Sequence, residues 1–189
     1  MRILLSFVLL LASSFSALAE PVKYEVDQAA STLGFVYFFG DDPVNGRFPV
    51  FDAELLIDFE SVSRSSIKVT LDATQADAGL VFAKDAMLGQ SVLNVAQHPR
   101  ITFSSTRIRL GPDPTVIVAG DLTIRDVTHP IEFTARLLVD DKAQFELKNR
   151  FFVELEGALS RRAFGADGFS DLVADRMLLR GQIAVFRAN

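Results

Sequence analysis

From Val22 to Arg187 apolar and polar residues alternate with a period of two, the signature of strands that bury one face, because successive side chains of a strand point to opposite sides. Ala53, Leu55, Ile57 and Phe59 alternate with Glu54, Asp58 and Glu60, and Ile67, Val69, Leu71 and Ala73 with Lys68, Thr70 and Asp72. The pattern returns at Ile101, Phe103 and Ser105, at Val116 to Ile124, at Ile131 to Leu137, at Phe145 to Leu155 and at Met177 to Val185. With the Leu33–Phe39 run this predicts about eight strands. Turn signals separate them at Asp41-Asp42-Pro43 with Asn45-Gly46, at Gly111-Pro112-Asp113-Pro114 and at Asp140-Asp141-Lys142, so consecutive strands are antiparallel neighbours. Residues 77–98 lose the alternation, and Asp85-Ala86-Met87-Leu88 favours helix. A helical insertion is therefore expected around residues 80–97, stopped by Pro99, which forces its predecessor into extended geometry.

Eight antiparallel strands allow a sandwich or a closed up-and-down barrel. Residues 47–60 and 143–157 read as strands longer than the usual five or six residues, and long tilted strands suit a barrel. At eight strands the interior is either filled by side chains or holds one small ligand. The expected inward set mixes bulky Phe51, Phe103, Phe133 and Phe151 with small Ala53, Ala73, Ala135, Gly120 and Gly181. By itself that mixture fits dense packing and a retained cavity equally well.

The first nineteen residues read differently. Arg2 precedes an apolar run from Ile3 to Leu11, and Ala17-Leu18-Ala19 is a small-x-small cleavage site, the pattern of an export leader too short to span a bilayer. Cleavage after Ala19 would leave residues 20–189 as one exported domain, periplasmic in a Gram-negative cell. No later segment is long and apolar enough for a membrane span, and no cysteine follows the leader to take a lipid anchor. The sequence holds no cysteine at all, which rules out disulfides, a thiolate nucleophile, sulfur-bound zinc and an iron–sulfur cluster. Nineteen Lys and Arg against twenty-four Asp and Glu give a net charge of −5, and no nucleic-acid partner is expected without an excess of positive charge.

Candidates for chemistry are few. His98 and His129 each precede a proline, and no HxH, HxxxH or HExxH spacing, no GxSxG and no glycine-rich phosphate loop occurs, so neither a catalytic residue nor a metal site nor a cofactor is predicted. Asp52, Asp58 and Asp72 fall at outward positions as solvating charges. Arg161 and Arg162 precede Phe164-Gly165 in a loop near a barrel rim, where an arginine suits an anionic head group. Phe35, Tyr37, Phe38 and Phe39 form an aromatic cluster on an early strand.

Several motifs, in order, resemble the YceI family of exported polyisoprenoid-binding proteins. They begin at Tyr24-Glu25-Val26-Asp27 with Ser31 and continue through Val44-Asn45-Gly46-Arg47-Phe48, Asp85 and Leu88, and the His98-Pro99 to Thr106 stretch. The most specific is Gly120-Asp121-Leu122-Thr123-Ile124-Arg125-Asp126-Val127-Thr128-His129-Pro130-Ile131, similar to the family's G-x-L-T-I-x-G-V-T-x-P-V, and Arg161-Arg162-Ala163-Phe164-Gly165 resembles its R-x-D-F-G element. The resemblance implies a lipocalin-like barrel around a long apolar tunnel, a helical insertion, and a long-chain lipid ligand such as a polyprenyl, quinone, fatty acid or fatty amide, held for sequestration or transport. Ala30, Asp126, Ala163 and Gly89-Gln90 depart from the family's polar pattern, leaving Arg161 as the one head-group candidate carried over.

Alternation nominates the lipid-contacting wall as Phe35, Tyr37, Phe51, Leu55, Ile57, Val69, Phe103, Leu122, Phe133, Phe151, Val153 and Leu179. Outward Phe48, Phe152 or Phe186 would suffice for a homodimer. The competing reading is a packed barrel acting through its outer surface, in a stress response or with a membrane cytochrome; it predicts an exposed apolar patch.

Overall fold

Among the described residues ten strands form one antiparallel sheet: β1 (Val22–Val26), β2 (Thr32–Phe39), β3 (Asp42–Arg47), β4 (Phe51–Ile57), β5 (Ser66–Asp72), β6 (Arg100–Leu110), β7 (Thr115–Ile124), β8 (Val127–Leu138), β9 (Arg150–Ser160) and β10 (Arg176–Arg187). The structure is a computed structural model and describes residues 20–49, 51–112, 114–138, 145 and 147–188. The leader expected at residues 1–19 and the turn expected at Asp140-Asp141-Lys142 lie outside the described residues. Among the described residues no helix is long and apolar enough to cross a membrane.

Strands β4 to β10 follow one another as neighbours, and β1 closes the ring by pairing with both β4 and β10. The result is the expected closed eight-stranded barrel, which leaves no free edge in the ring. Its membership differs from the sequence reading. The eighth stave is β1, and β2 with β3 forms a hairpin on the first half of β10, where Leu178–Gln182 faces Val36–Thr32. The last residues of β10, Val185 to Arg187, face β1 instead.

The changeover at Ala184 is closed by local polar groups. Its N–H donates to Ser31 Oγ at 3.0 Å, and its carbonyl accepts from Asp27 N at 2.9 Å. A split in the ladder would otherwise leave those two groups unpaired in a fully buried residue. The single turn of 3-10 helix at Gln28–Ala30, capped by the Asp27 side chain, swings the chain from β1 to β2 at this point.

Asn45-Gly46, expected as a turn, lies inside β3, and the hairpin instead turns at Gly40, with φ of +60°. Gly46 is in a strand because a Cβ there would come within 2.2 Å of the Phe35 ring, so the absence of a side chain serves close packing rather than chain reversal. The β7–β8 turn carries no Gly or Asn signal. Arg125 and Asp126 both adopt positive φ, +54° and +61°, as a two-residue hairpin of the twist-matched primed kind requires.

The expected helix over residues 80–97 shrinks to α1 (Ala83–Leu88). Gly89 caps it and Asn94 takes a left-handed φ of 48°, so the rest of the segment is a chain of turns, with Leu93 N bonded to Met87 O and Val95 N to Leu88 O. In β6 a bulge between Ser105 and Arg107 switches the inward parity from odd to even, which is why Ile101, Phe103 and then Ile108 are the buried residues.

Candidate functional site

The barrel has two unlike ends. Where β1 and β9 begin and β4 and β10 finish, Tyr24, Phe59, Phe145 and Phe151 form an edge-to-face cluster, with Phe151 at 5.3 Å from Tyr24 and 5.4 Å from Phe59. The buried Tyr24 hydroxyl donates to Lys148 O at 2.7 Å. At the opposite end α1 and its following turns, the β7–β8 hairpin and the β9–β10 connection converge. Arg125 donates from Nη1 to Val92 O at 3.2 Å and to Gly165 O, and Gly168 N donates to Ser91 O at 2.8 Å, so one side chain and one close backbone approach tie the three segments together.

Between these ends lies a partly open cavity of about 250 Å³. An engineered cavity of roughly 150 Å³ is large enough to hold benzene, so this is room for a ligand rather than a packing defect. The cavity is lined by Phe35, Phe51, Leu55, Ile57, Val69, Phe103, Leu122, Phe133, Val153, Leu179 and Arg161 of the nominated residues. Alternation placed all of these but Arg161 on one face, and closure of the ring brought that face together from strands far apart in sequence.

Tyr37 and Phe151 are not among the lining residues. Phe151 belongs to the aromatic cluster just described. Tyr37 lies on β2 beyond the ring, where the segment carrying the buried Ala76 and Ala78 covers it and its hydroxyl donates to Ala78 O at 2.9 Å; burial raises its pKa. Phe48, expected to face outward, also lines the cavity and packs on Phe35 at 5.2 Å, because the chain bends inward between β3 and β4.

The nominated wall left out further strand residues that line the cavity, among them Leu33, Ile67, Leu71, Val118, Leu155 and Ile183, and residues from segments without alternation: Met87, Val92 and Leu93 after β5, and Phe164 and Ala166 after β9. The only signal of the latter in the sequence was apolar character without a period.

The lumen stays open through three aromatic–glycine pairs. The rings of Phe35, Phe103 and Phe133 lie where a Cβ on Gly46, Gly120 and Gly157 would stand, at 2.2, 2.5 and 2.8 Å respectively. Each ring takes space left by a glycine on the neighbouring strand, and Phe103 meets Phe133 edge-on at 5.2 Å.

Arg161, the head-group candidate, is largely engaged by the chain itself. It is 4% exposed, and its guanidinium donates to four backbone carbonyls: Nε to Ala174 O at 3.1 Å, Nη1 to Gly168 O at 2.8 Å and to Ala166 O, and Nη2 to Val173 O at 2.9 Å. Burial lowers its pKa, with the charge of Arg162 acting in the same direction and Asp175 and Asp167 opposing. It holds the β9–β10 connection together, and its position beside the cavity follows from that.

The two histidines and Asp58 also contact other groups of the chain. His98 Nδ1 lies 3.0 Å from Asp126 Oδ2, and His129 Nε2 lies 3.0 Å from Ala163 O with its ring edge-on to Phe164. Asp58, expected to be a solvated charge, is buried; it accepts from Glu60 N at 2.9 Å and Ser61 N at 2.8 Å and pairs with Arg64. β4 stops at Ile57, so strand parity no longer governs it. Among the described residues no group of three His, Asp or Glu is placed to hold a metal.

The YceI-like domain profile matches residues 24–185. The chain belongs to the YceI-like family. Relatives include a UPF0312 protein of Pectobacterium atrosepticum, 30% identical over 71% of this chain and 70% of the relative. Protein YceI of Escherichia coli is 27% identical over 85% of this chain and 83% of its own. Among solved structures, BcnA of Burkholderia cenocepacia superposes with a TM-score of 0.76 at 21% identity, covering 85% of this chain and 99% of BcnA. A domain from Saccharophagus degradans described as polyisoprenoid-binding superposes at 0.67 with 14% identity, covering 88% and 99% of the two chains. At these identities the likeness of the structures shows a common fold.

Proposed function

We propose that this YceI-like protein is an exported carrier that holds the chain of an isoprenoid-type or other long-chain lipid inside its barrel, for sequestration or transport rather than turnover. The observation that carries the reading is the cavity of about 250 Å³ walled by apolar side chains. Burying hydrocarbon there releases roughly 0.8 kcal/mol per methylene, so the chain alone supplies affinity. The polyisoprenoid-binding description of the Saccharophagus degradans domain supports the ligand class, and the leader pattern of residues 1–19 supports a periplasmic site of action. His98 Nδ1 lies against the Asp126 carboxylate, His129 Nε2 lies against the Ala163 carbonyl, and neither histidine is among the residues lining the cavity.

The test is to express the chain with its own leader, purify it without detergent, extract it with organic solvent and identify the lipids by mass spectrometry. A stoichiometric prenyl, quinone or acyl species is expected. An empty extract, together with failure to take up added prenyl and acyl probes, would overturn the carrier reading.

One observation favours a second reading in that case. Phe39 and Phe82 stack edge-on at 6.3 Å, and Phe82 is 70% exposed beside a fully exposed Val81. The exposed Leu172 adjoins them, its carbonyl taking the Gly40 N–H. Such an apolar surface suits a protein partner.

A further inference from the structure

The cavity lining stops toward the same end of the barrel on strand after strand. On β1 Val26 lines the cavity and Tyr24 does not, on β8 Ala135 does and Leu137 does not, and on β9 Val153 does and Phe151 does not. Ile57 at the end of β4 lines it, and Phe59 just beyond does not. Tyr24 and Phe151 share the inward parity of Val26 and Val153, and both are buried in the cluster against which Phe59 and Leu137 pack. The cavity therefore ends on their rings.

These rings are held from behind. Phe151 stands edge-on to both Tyr24 and Phe59, contacts that add to the burial of the rings themselves. The Tyr24 hydroxyl is tied to Lys148 O, and Lys148 Nζ sits 5.3 Å from the centre of the Phe59 ring and 3.0 Å from Glu60 Oε1. A hydrocarbon tail that reaches the cluster has to break this packing to go further.

We infer that the Tyr24–Phe59–Phe151 cluster is the stop that sets how long a hydrocarbon chain the cavity takes, with Phe151 the residue on which the end of the chain lands. The inference rests on the carrier reading above and narrows its ligand class by length. Each methylene drawn into the cavity tightens binding about fourfold until the tail meets the rings. Carbons beyond that length find no further apolar wall and add little. One layer of inward side chains is a pair of residues along a tilted strand, about 5 Å along the barrel axis or roughly four methylenes of chain.

The experiment uses delipidated protein and straight-chain alcohols from octanol to octadecanol, each titrated by displacement of a fluorescent apolar dye at neutral pH. In the unaltered protein affinity is expected to climb with each added carbon and then level off at one length. Phe151→Ala takes a ring out of the stop and is expected to move the levelling point up by about four carbons. Phe151→Leu, which keeps more of the packing, is expected to move it up by about half as much and decides the matter if Phe151→Ala does not fold. Were the cluster to serve stability alone, the variants would lower the urea midpoint and leave the levelling point where it was. That result, or affinity in the unaltered protein that climbs through octadecanol without levelling, would overturn the inference while leaving the carrier reading intact. Binding of none of the alcohols, with the dye also excluded, would overturn both.

Discussion

Arg161 shows how one side chain can be placed at a site by duties unrelated to it. Four backbone carbonyls depend on its guanidinium, and an unsatisfied buried carbonyl costs about 1–3 kcal/mol. Arg161→Met is expected to lower stability by on the order of 3 kcal/mol or more. Urea unfolding would measure the loss, and affinity for a prenyl probe under conditions where the variant is folded is expected to be unchanged.

Asp58 and Asp175 are among the carboxylates that make the fold acid-sensitive. The backbone N–H of Ser61, then that of Glu60 and the Arg64 guanidinium, hold Asp58 below the usual carboxylate range against the opposing effect of burial. Asp175 is lowered in the same way, first by the backbone N–H of Arg162 and then by the Ser160 hydroxyl and the charges of Arg162 and Arg161, again against burial. Because both are depressed on folding, the stability they contribute is complete above the unfolded value near 3.9 and is lost as pH falls through their folded values. The urea midpoint is expected to hold steady down to about pH 5 and to fall below about pH 4. Asp58→Asn should be less stable at neutral pH and show a shallower acid slope.

At the scale of elements, the pairing of large rings with glycines decides whether the barrel is hollow. Gly157 on β9 stands opposite Phe133 on β8, and a methyl group at Gly157 would lie 2.8 Å from the ring. Gly157→Ala is expected to push that ring toward the lumen, costing about 1–3 kcal/mol and reducing uptake of a prenyl probe. Calorimetry on the variant with and without probe separates the two effects. This arrangement settles what the residue list left even. Phe and Gly in the same alternating positions fit a filled interior and an open one alike, and which holds depends on whether the glycine faces the ring across the ladder.

At the same scale the long non-alternating segment, residues 77–98, reads as helical from its apolar composition and the propensity of Asp85 to Leu88, and neither feature fixes a helix's length. Gly89 and Asn94 limit it to α1. Its place over the barrel end is set by Arg125, which reaches from the β7–β8 hairpin to Val92 O.

For the whole molecule, the cavity makes a prediction opposite to that for a packed core. Ala135 is 9% exposed and lines the cavity. In a filled interior, Ala135→Phe would cost about 1–3 kcal/mol by overpacking. Here the ring has room, so stability is expected to stay level or rise while uptake of a prenyl probe falls at least about tenfold. Thermal unfolding and probe titration on the same sample decide it.

The period-two alternation and the turn residues determined by themselves that the chain is antiparallel β, and the long strands favoured a closed barrel over a sandwich, because each strand's buried face is written locally in every second residue. The same logic placed Phe103, Leu122, Phe133 and Val153 on one inner surface. What only the tertiary structure decided depends on contacts between distant segments. These are the choice of β1 rather than β2 as the eighth stave, the glycines that leave room for the rings, the bulge that reverses parity after Ser105, and the four carbonyls that engage Arg161. None is written within a single strand's length, since each arises only when separate segments of the chain pack to within a few ångströms of one another.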